Sequence, residues 1–186
     1  PTDQEVMEAI IGLRNNKSAG ENEIPAEVLK VGGESIQKRV ASLIKKVWKE
    51  ESMPDNWSTA LLLPVYKKGD KAICENYRGI ALLDVTYKVL AKIIRNKLSP
   101  YQESTVGEYQ GGFRKGRATT DQIFTMKQIL NNAYEQNLAL HMLFIDFRQA
   151  YDSIIRSKLY EAMAELGIPN KIINLTNMTL QRAYNK

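Results

Sequence analysis

The residue whose type and position most invite chemistry is an aspartate that closes an apolar run. Leu138 to Phe147 is near-continuously apolar and carries Asp146 close to its end. A run of this kind predicts a buried strand, and an unpaired carboxylate buried there would be costly. At the C-terminal end of a strand it can be met by a cation or by backbone N–H groups. Mg²⁺ is the usual cation for a lone carboxylate that shares its ion with phosphates. A loop cap or a salt bridge is the plainer reading, and this segment alone leaves both open. Two basic clusters offer phosphate chemistry. One is Lys67 and Lys68 in a charged turn, with Arg78 ten or so residues on; the other is Arg114, Lys115 and Arg117 around Phe113. Arginine makes forked contacts to phosphate oxygens and lysine acts as a point charge.

Composition removes several other chemistries. Cys74 is the single cysteine among 186 residues, so a disulfide scaffold and a cysteine zinc site are both excluded. His141 is the single histidine and no Gly-x-Ser-x-Gly elbow accompanies it, which sets serine hydrolase chemistry aside. His141 itself reads as a core or edge histidine of the apolar strand. No Gly-x-x-x-x-Gly-Lys-Ser/Thr loop stands upstream of Asp146, so the nucleoside-triphosphatase reading falls. A net charge of +5 leans mildly toward a polyanionic partner. No apolar run reaches the length of a membrane span. The N-terminal residues lack the basic and apolar regions of a signal peptide, and the chain reads like a piece cut from something longer.

The elements that must position these residues follow from pattern. Thr2 and Glu5 have the form of a capping box, with Val6, Ile10 and Leu13 at helical spacing behind them, so a first helix is predicted to about Asn15. A polar loop covers 16–23, and a short helix opens at Pro25 and ends at Gly32-Gly33. A longer helix spans Glu34 to Glu50 with Ile36, Val40, Leu43, Ile44 and Val47 as its apolar stripe. Ala60 to Tyr66 reads as a strand, Pro64 marking an edge or bulge, and Asn76 to Ile80 as its hairpin partner. Asp84 is placed to cap a helix that Pro100 ends. A Gly- and Arg-rich loop covers 110–118. Thr119 or Thr120 caps a helix to about Gln136, with Ile123, Met126, Ile129, Leu130 and Ala133 inward. Further helices are predicted at Ser157–Leu166 and from Asn170. The order is α+β, not a regular βαβ alternation.

The segment from Leu143 to Ile154 then resembles the first catalytic motif of reverse transcriptases, in particular those of LINE-type (non-LTR) retrotransposons: an apolar strand, Asp146, a few residues, then Ala150, Tyr151 and Asp152. Other blocks resemble the same family in the same order. These are Lys17-Ser18-Ala19-Gly20 with Ile24-Pro25-Ala26-Glu27, Leu63 to Asp70, Asn76 to Leu83, and Gln110 to Ile123. The resemblance implies a right-hand polymerase fold, helix-rich, with fingers over 1–136, a fingers β-hairpin, and the beginning of the palm over 137–186 with one buried palm strand.

It also implies an RNA-directed DNA polymerase carrying out nucleotidyl transfer with two Mg²⁺ ions on an RNA template, a DNA primer and deoxynucleoside triphosphates. In that implied site Asp146 binds both ions and the Phe147 carbonyl adds a ligand. Backbone N–H groups of Gln149 and Ala150 face the triphosphate, Tyr151 lies under the sugar and excludes a 2′-hydroxyl, and Asp152 is structural. Arg78 reaches the triphosphate with Lys67 or Lys68 beside it. Arg114, Lys115 and Arg117 contact nucleic-acid phosphates, while Phe113 is expected to pack in the core. Lys88, Lys92 and Arg95 share a helix face that is either a nucleic-acid track or a solvated surface. The alternative is a retrotransposon-derived, non-catalytic nucleic-acid- or protein-binding module. Target-primed reverse transcription would need the nucleus at some stage, and no clear localisation signal is present.

The chain departs from the family at several points. Glu21-Asn22-Glu23 stand where Pro-Asp-Gly is usual, Gly111 where Ala is common and Ala81 where Ser is common. No adjacent pair of aspartates, the family's third catalytic block, occurs in these 186 residues. One carboxylate cannot hold two Mg²⁺ ions in polymerase geometry. The purified 186-residue chain is therefore expected to leave a labelled primer unextended when given template, deoxynucleotides and Mg²⁺; gel detection of any extended product would contradict this.

Overall fold

A capping box opens the chain as its first residues demand. In a computed structural model, which describes residues 1–181 and the backbone of 184–185, the Thr2 hydroxyl accepts from the Glu5 N–H at 3.2 Å and the Glu5 carboxylate accepts from the Thr2 N–H at 2.8 Å. Helix α1 (Asp3–Ile11) follows and stops at Gly12, short of the predicted Asn15. Val6 and Ile10 are fully buried. Helix α2 (Ala26–Val31) starts after Pro25, and α3 (Gly33–Glu50) after Gly32. Helix α3 buries Val40, Ala41, Ile44 and Val47, while Leu43 of the predicted stripe stays 36% exposed.

The chain divides into two compact units, Pro1–Tyr101 with Tyr160–Lys186, and Gln102–Leu159. In the first, α1, α2 and α3 pack together. Helix α4 (Val85–Thr105) begins in this unit and buries Val85, Val89, Leu90, Ile93 and Ile94. The Lys97 ammonium meets the Glu5 carboxylate of α1. Trp57 and Tyr87 meet edge to face, ring centroids 6.3 Å apart. Helix α7 (Asn170–Gln181) buries Ile172 and Leu175. It is tied to the end of α3 by Glu51, which accepts from Lys171 Nζ at 2.7 Å and Asn174 Nδ2 at 2.9 Å.

Strands β1 (Thr59–Tyr66) and β2 (Tyr77–Leu82) form the predicted antiparallel hairpin. A short third strand, β3 (Tyr184–Asn185), pairs parallel to β1 at Thr59 and Ala60, giving the order β2-β1-β3. The Lys67 N–H donates to the Asn76 carbonyl at 2.8 Å. Counting back along the register from that hydrogen-bonded pair makes Pro64–Gly79 a non-hydrogen-bonded pair. The missing proline N–H therefore costs the ladder nothing, and the hairpin passes through Pro64 without a break.

The second unit holds the end of α4, a loop, α5 (Thr119–Glu135) and the segment to the start of α6 (Arg156–Glu165). Three expectations are corrected here and at its margin. Pro100 lies inside α4, which runs on to Thr105; a proline removes one N–H donor, and helical bonding resumes beyond it, with Val106 N–H donating to Gln102 at 2.9 Å. Ala118, not Thr119 or Thr120, is the N-cap of α5, because the Asp121 carboxylate reaches back to its N–H at 3.0 Å and satisfies that donor instead. The apolar stripe of α5 is not buried: Ile123 and Ile129 are about half exposed.

The largest correction concerns the buried palm strand. Residues 138–147 form no strand, and Leu143, Phe144, Ile145 and Phe147 are 72–85% exposed. His141 is exposed with them. An apolar run becomes a buried strand only when neighbouring strands pair its backbone and other elements cover its faces. Among the described residues no strand pairs with this one.

Two outcomes follow from the first unit's core. Leu90→Ala removes a fully buried side chain and is expected to lower unfolding free energy by about 2–5 kcal/mol in a urea titration. The Glu5 carboxyl is held below its ordinary value of 4.5, first by Lys97 and then by the Thr2 N–H, against a smaller opposing effect of burial. A depressed carboxyl stabilises the fold when ionised. That contribution is present above the ordinary value and lost as pH falls through the folded one. Thermal melts between pH 6 and pH 3 are expected to drop less steeply for Glu5→Gln than for the parent chain.

Candidate functional site

The hairpin sets the first group of candidate residues. Directly opposed residues of an antiparallel pair project to the same face. The register places Arg78 opposite Val65, and the ladder continues to Lys67 opposite Asn76. Lys67 and Arg78 are therefore diagonal neighbours on one face of the hairpin. Lys68 lies past the last paired residue, in the turn. The turn is braced from within. The Tyr66 hydroxyl donates to the Gly69 carbonyl, and the Tyr77 hydroxyl donates to Lys71 O at 3.0 Å. Asn76 Nδ2 donates to Asp70 O at 2.8 Å. Lys71 sits 5.6 Å from the Tyr66 ring centroid, a cation–π arrangement. Gly69 has φ +96°, and a Cβ there would stand 2.7 Å from Asn76 Nδ2, so glycine is required. Tyrosines 66 and 77 pack at 5.6 Å between centroids. The two basic residues thus project from a tip held in one conformation.

The second unit holds the remaining candidates. Asp146 is exposed, in the irregular segment just before a run of turns over 148–153. Gln149 takes a left-handed φ of +52°, and its carbonyl accepts from the Ser153 N–H at 2.9 Å. The Ser153 hydroxyl donates to Ala150 O at 3.2 Å. These bonds curl the chain after Asp146 and present the Tyr151 ring, 74% exposed. Phe113 also has a left-handed φ, +61°, and is 84% exposed, so the expected core packing does not occur. Its ring meets Tyr151 edge to face, centroids 6.5 Å apart. Left-handed backbone at a non-glycine residue costs on the order of 1–3 kcal/mol and clusters at functional sites. Here two such residues bracket one aromatic contact.

Among the three basic residues of the loop, Arg114 is committed internally. Its side chain is 5% exposed. Nη2 and Nε donate to Glu103 at 2.8 and 3.3 Å, and Nη1 donates to the Gly107 carbonyl at 2.9 Å. The same bond holds the Glu103 carboxyl below its ordinary value and raises the guanidinium. Arg117 pairs with Glu108, while Lys115 is exposed. Gly111 is buried under Gln122, whose amide donates to Tyr109 O at 3.0 Å. A Cβ at Gly111 would lie 2.9 Å from Gln122 Cγ, so the small residue lets the loop close on α5.

Asp146 offers the hard oxygen donor that Mg²⁺ prefers. Among the described residues, however, no three His, Cys, Asp or Glu side chains gather where they could hold a metal ion. These residues supply one carboxylate and do not by themselves fit a two-ion site.

Comparison with known proteins decides the ancestry of this arrangement. The family described as "Reverse transcriptase (RNA-dependent DNA polymerase)" matches residues 65–186, which contain β2, the basic loop and the segment from Asp146 to Tyr151. The chain belongs to the reverse transcriptase family. It is 26% identical, over 88% of its length, to the "Probable RNA-directed DNA polymerase from transposon BS" of Drosophila melanogaster, and covers 18% of that protein. It is 29% identical to the "Putative 115 kDa protein in type-1 retrotransposable element R1DM" of the same organism, over 88% of this chain and 16% of that one. To the "RNA-directed DNA polymerase from mobile element jockey" of Drosophila melanogaster it is 22% identical over 97% of its length, covering 20% of that protein. The chain thus spans about a fifth or less of the relatives it matches, and the expected kinship with LINE-type retrotransposon reverse transcriptases is borne out.

Sequence reading missed two contacts. The Phe113–Tyr151 pair joins residues far apart in the chain. The Arg114 brace was signalled by Glu103 and Glu108 upstream of the basic loop. Arg114→Ala leaves the Glu103 carboxylate and Gly107 carbonyl without these donors. It is expected to speed hydrogen exchange of amides 107–117. Arg114→Lys is expected to restore little of it, because an ammonium cannot reproduce the fork.

Proposed function

We propose that this chain is the fingers and first palm portion of an RNA-directed DNA polymerase of a LINE-type retrotransposon. Residues 1–136 are fingers, and 137–186 begin the palm. The observation that carries the reading is the family match across 65–186, with Asp146, Ala150 and Tyr151 at the motif's spacing inside it.

In this reading Asp146 contributes one carboxylate to the catalytic centre, and the Phe147 carbonyl lies beside it. Lys67 and Arg78 bind the triphosphate of an incoming deoxynucleotide. Their shared hairpin face favours Lys67 over Lys68 for this contact. The N–H groups of Gln149 and Ala150 are triphosphate donors in this reading. Tyr151, held edge-on by Phe113, closes the space that a ribonucleotide 2′-hydroxyl would need. Lys115 and Arg117 meet phosphates of the template or primer strand, and Arg114 holds their loop in shape. The substrates are an RNA template, a DNA primer and deoxynucleoside triphosphates.

The test uses a longer polymerase that contains this segment. Asp146→Asn is expected to lower primer extension by on the order of 10³-fold, the scale of losing one transition-state stabiliser. Tyr151→Ala is expected to raise the ratio of ribonucleotide to deoxynucleotide incorporation by about tenfold or more, with extension retained. Unchanged extension by Asp146→Asn would assign the chain to a non-catalytic role.

A further inference from the structure

In the first unit a cleft of about 300 Å³ opens between the end of α1, the loop that follows it and the start of α4. Its floor is apolar, formed by Leu13, Ile24 and Val85. Its polar rim is Arg14, Lys17 and Lys88, and no carboxylate lines it.

The surrounding bonds leave this charge in place. Lys30 is occupied by the Leu13 carbonyl at 2.6 Å and Asn15 Oδ1 at 2.5 Å, which folds the loop and holds Arg14 and Lys17 at the rim. Lys88 Nζ donates to the Ser18 carbonyl, a neutral acceptor, at 3.4 Å. The next cation along α4, Lys92, lies over Gly12; its ammonium pKa is lowered by burial, then by Arg95 and Lys30. Three cations therefore line one concavity whose lining holds no carboxylate, while the Glu27 carboxylate accepts from the Asn16 N–H of the same loop at 2.6 Å. That is a positive field focused by low-dielectric walls. Of the helix face of Lys88, Lys92 and Arg95, Lys88 lines this cleft.

We infer that this cleft binds the phosphodiester backbone of a single nucleic-acid strand, with Arg14, Lys17 and Lys88 contacting its phosphates. The choice of a strand over a free phosphate rests on shape. The three cations come from two separate elements on the rim of a cleft larger than one phosphate requires, and the apolar floor suits a sugar edge. A duplex face would not enter a volume of this size. The inference does not depend on Asp146 or on catalysis.

The test is binding of a fluorescent 12-nucleotide RNA to the 186-residue chain as a function of salt. Each phosphate contact on a single strand contributes about 0.7 to the slope of log affinity against log salt. The triple variant Arg14→Gln, Lys17→Gln, Lys88→Gln is expected to reduce that slope by about 2 and weaken binding at least tenfold at low salt. Lys46→Gln, at an exposed position of α3, is expected to leave both unchanged. An unaltered slope in a folded triple variant would overturn the inference. Should the variant fail to fold, lysine acetylation of the parent chain answers instead. RNA is expected to protect Lys17 and Lys88 while Lys46, exposed on α3, reacts as before; equal reactivity of all three with and without RNA would overturn the site. Protection by tripolyphosphate as strong as by RNA at equal phosphate concentration would overturn the strand assignment in favour of a free polyphosphate.

Discussion

The carboxylate of Asp84 is the junction on which the first unit depends. It is 6% exposed. Its Oδ1 accepts from the Thr86 N–H at 2.8 Å and its carbonyl from the Lys88 N–H at 3.0 Å, so it starts α4. Its Oδ2 accepts from Asn22 Nδ2 in the loop before α2. Buried carboxylates persist when such donors surround them. Asn22 turns that loop as well, its Oδ1 accepting from the Ile24 N–H at 3.0 Å. Gly20 lies against the same point: a Cβ there would stand 2.6 Å from Asp84 N. One carboxylate thus fixes where α4 begins and how the first loop folds back. The replacement of the usual Pro-Asp-Gly by Glu21-Asn22-Glu23 keeps a residue that serves both purposes.

From that junction the chemistry is distributed outward. The hairpin carries Lys67 and Arg78 on one face, and α4 contributes Lys88 to the basic cleft beside Arg14 and Lys17 of the first loop. The second unit has no comparable anchor. It relies on local devices: the Arg114 brace, the Asp121 bond at the head of α5, and the turn after Asp146. Its apolar side chains lie along an open groove between α5 and residues 140–144 instead of in a sealed core. Short-range bonds can shape loops and a helix, but a sealed core needs several elements to cover one another.

Much of the fold was legible in sequence because its signals are local. The capping box at Thr2 and Glu5, the apolar spacing of Val40, Ile44 and Val47, the glycines after α2 and the Asp84 cap all act within a few residues, and each appears where its pattern placed it. Pro100 misled because a proline's cost can be absorbed inside a long helix whose flanking turns remain bonded. Phe113 misled because its left-handed backbone turns an apolar ring outward, which residue type cannot reveal.

The sequence by itself determined the ancestry, the identities of the candidate residues and most helix positions. Motif spacing and helical periodicity are properties of residues close together in the chain. Tertiary structure alone decided that Lys67, rather than Lys68, shares a face with Arg78, since that depends on strand register. It alone decided that Arg114 braces its loop, that Phe113 meets Tyr151, and that Arg14 and Lys17 join Lys88 around one cleft. It also left residues 138–147 exposed. A strand is made by its neighbours, and periodicity can state that a segment is fit for a sheet without supplying the partners that bury it.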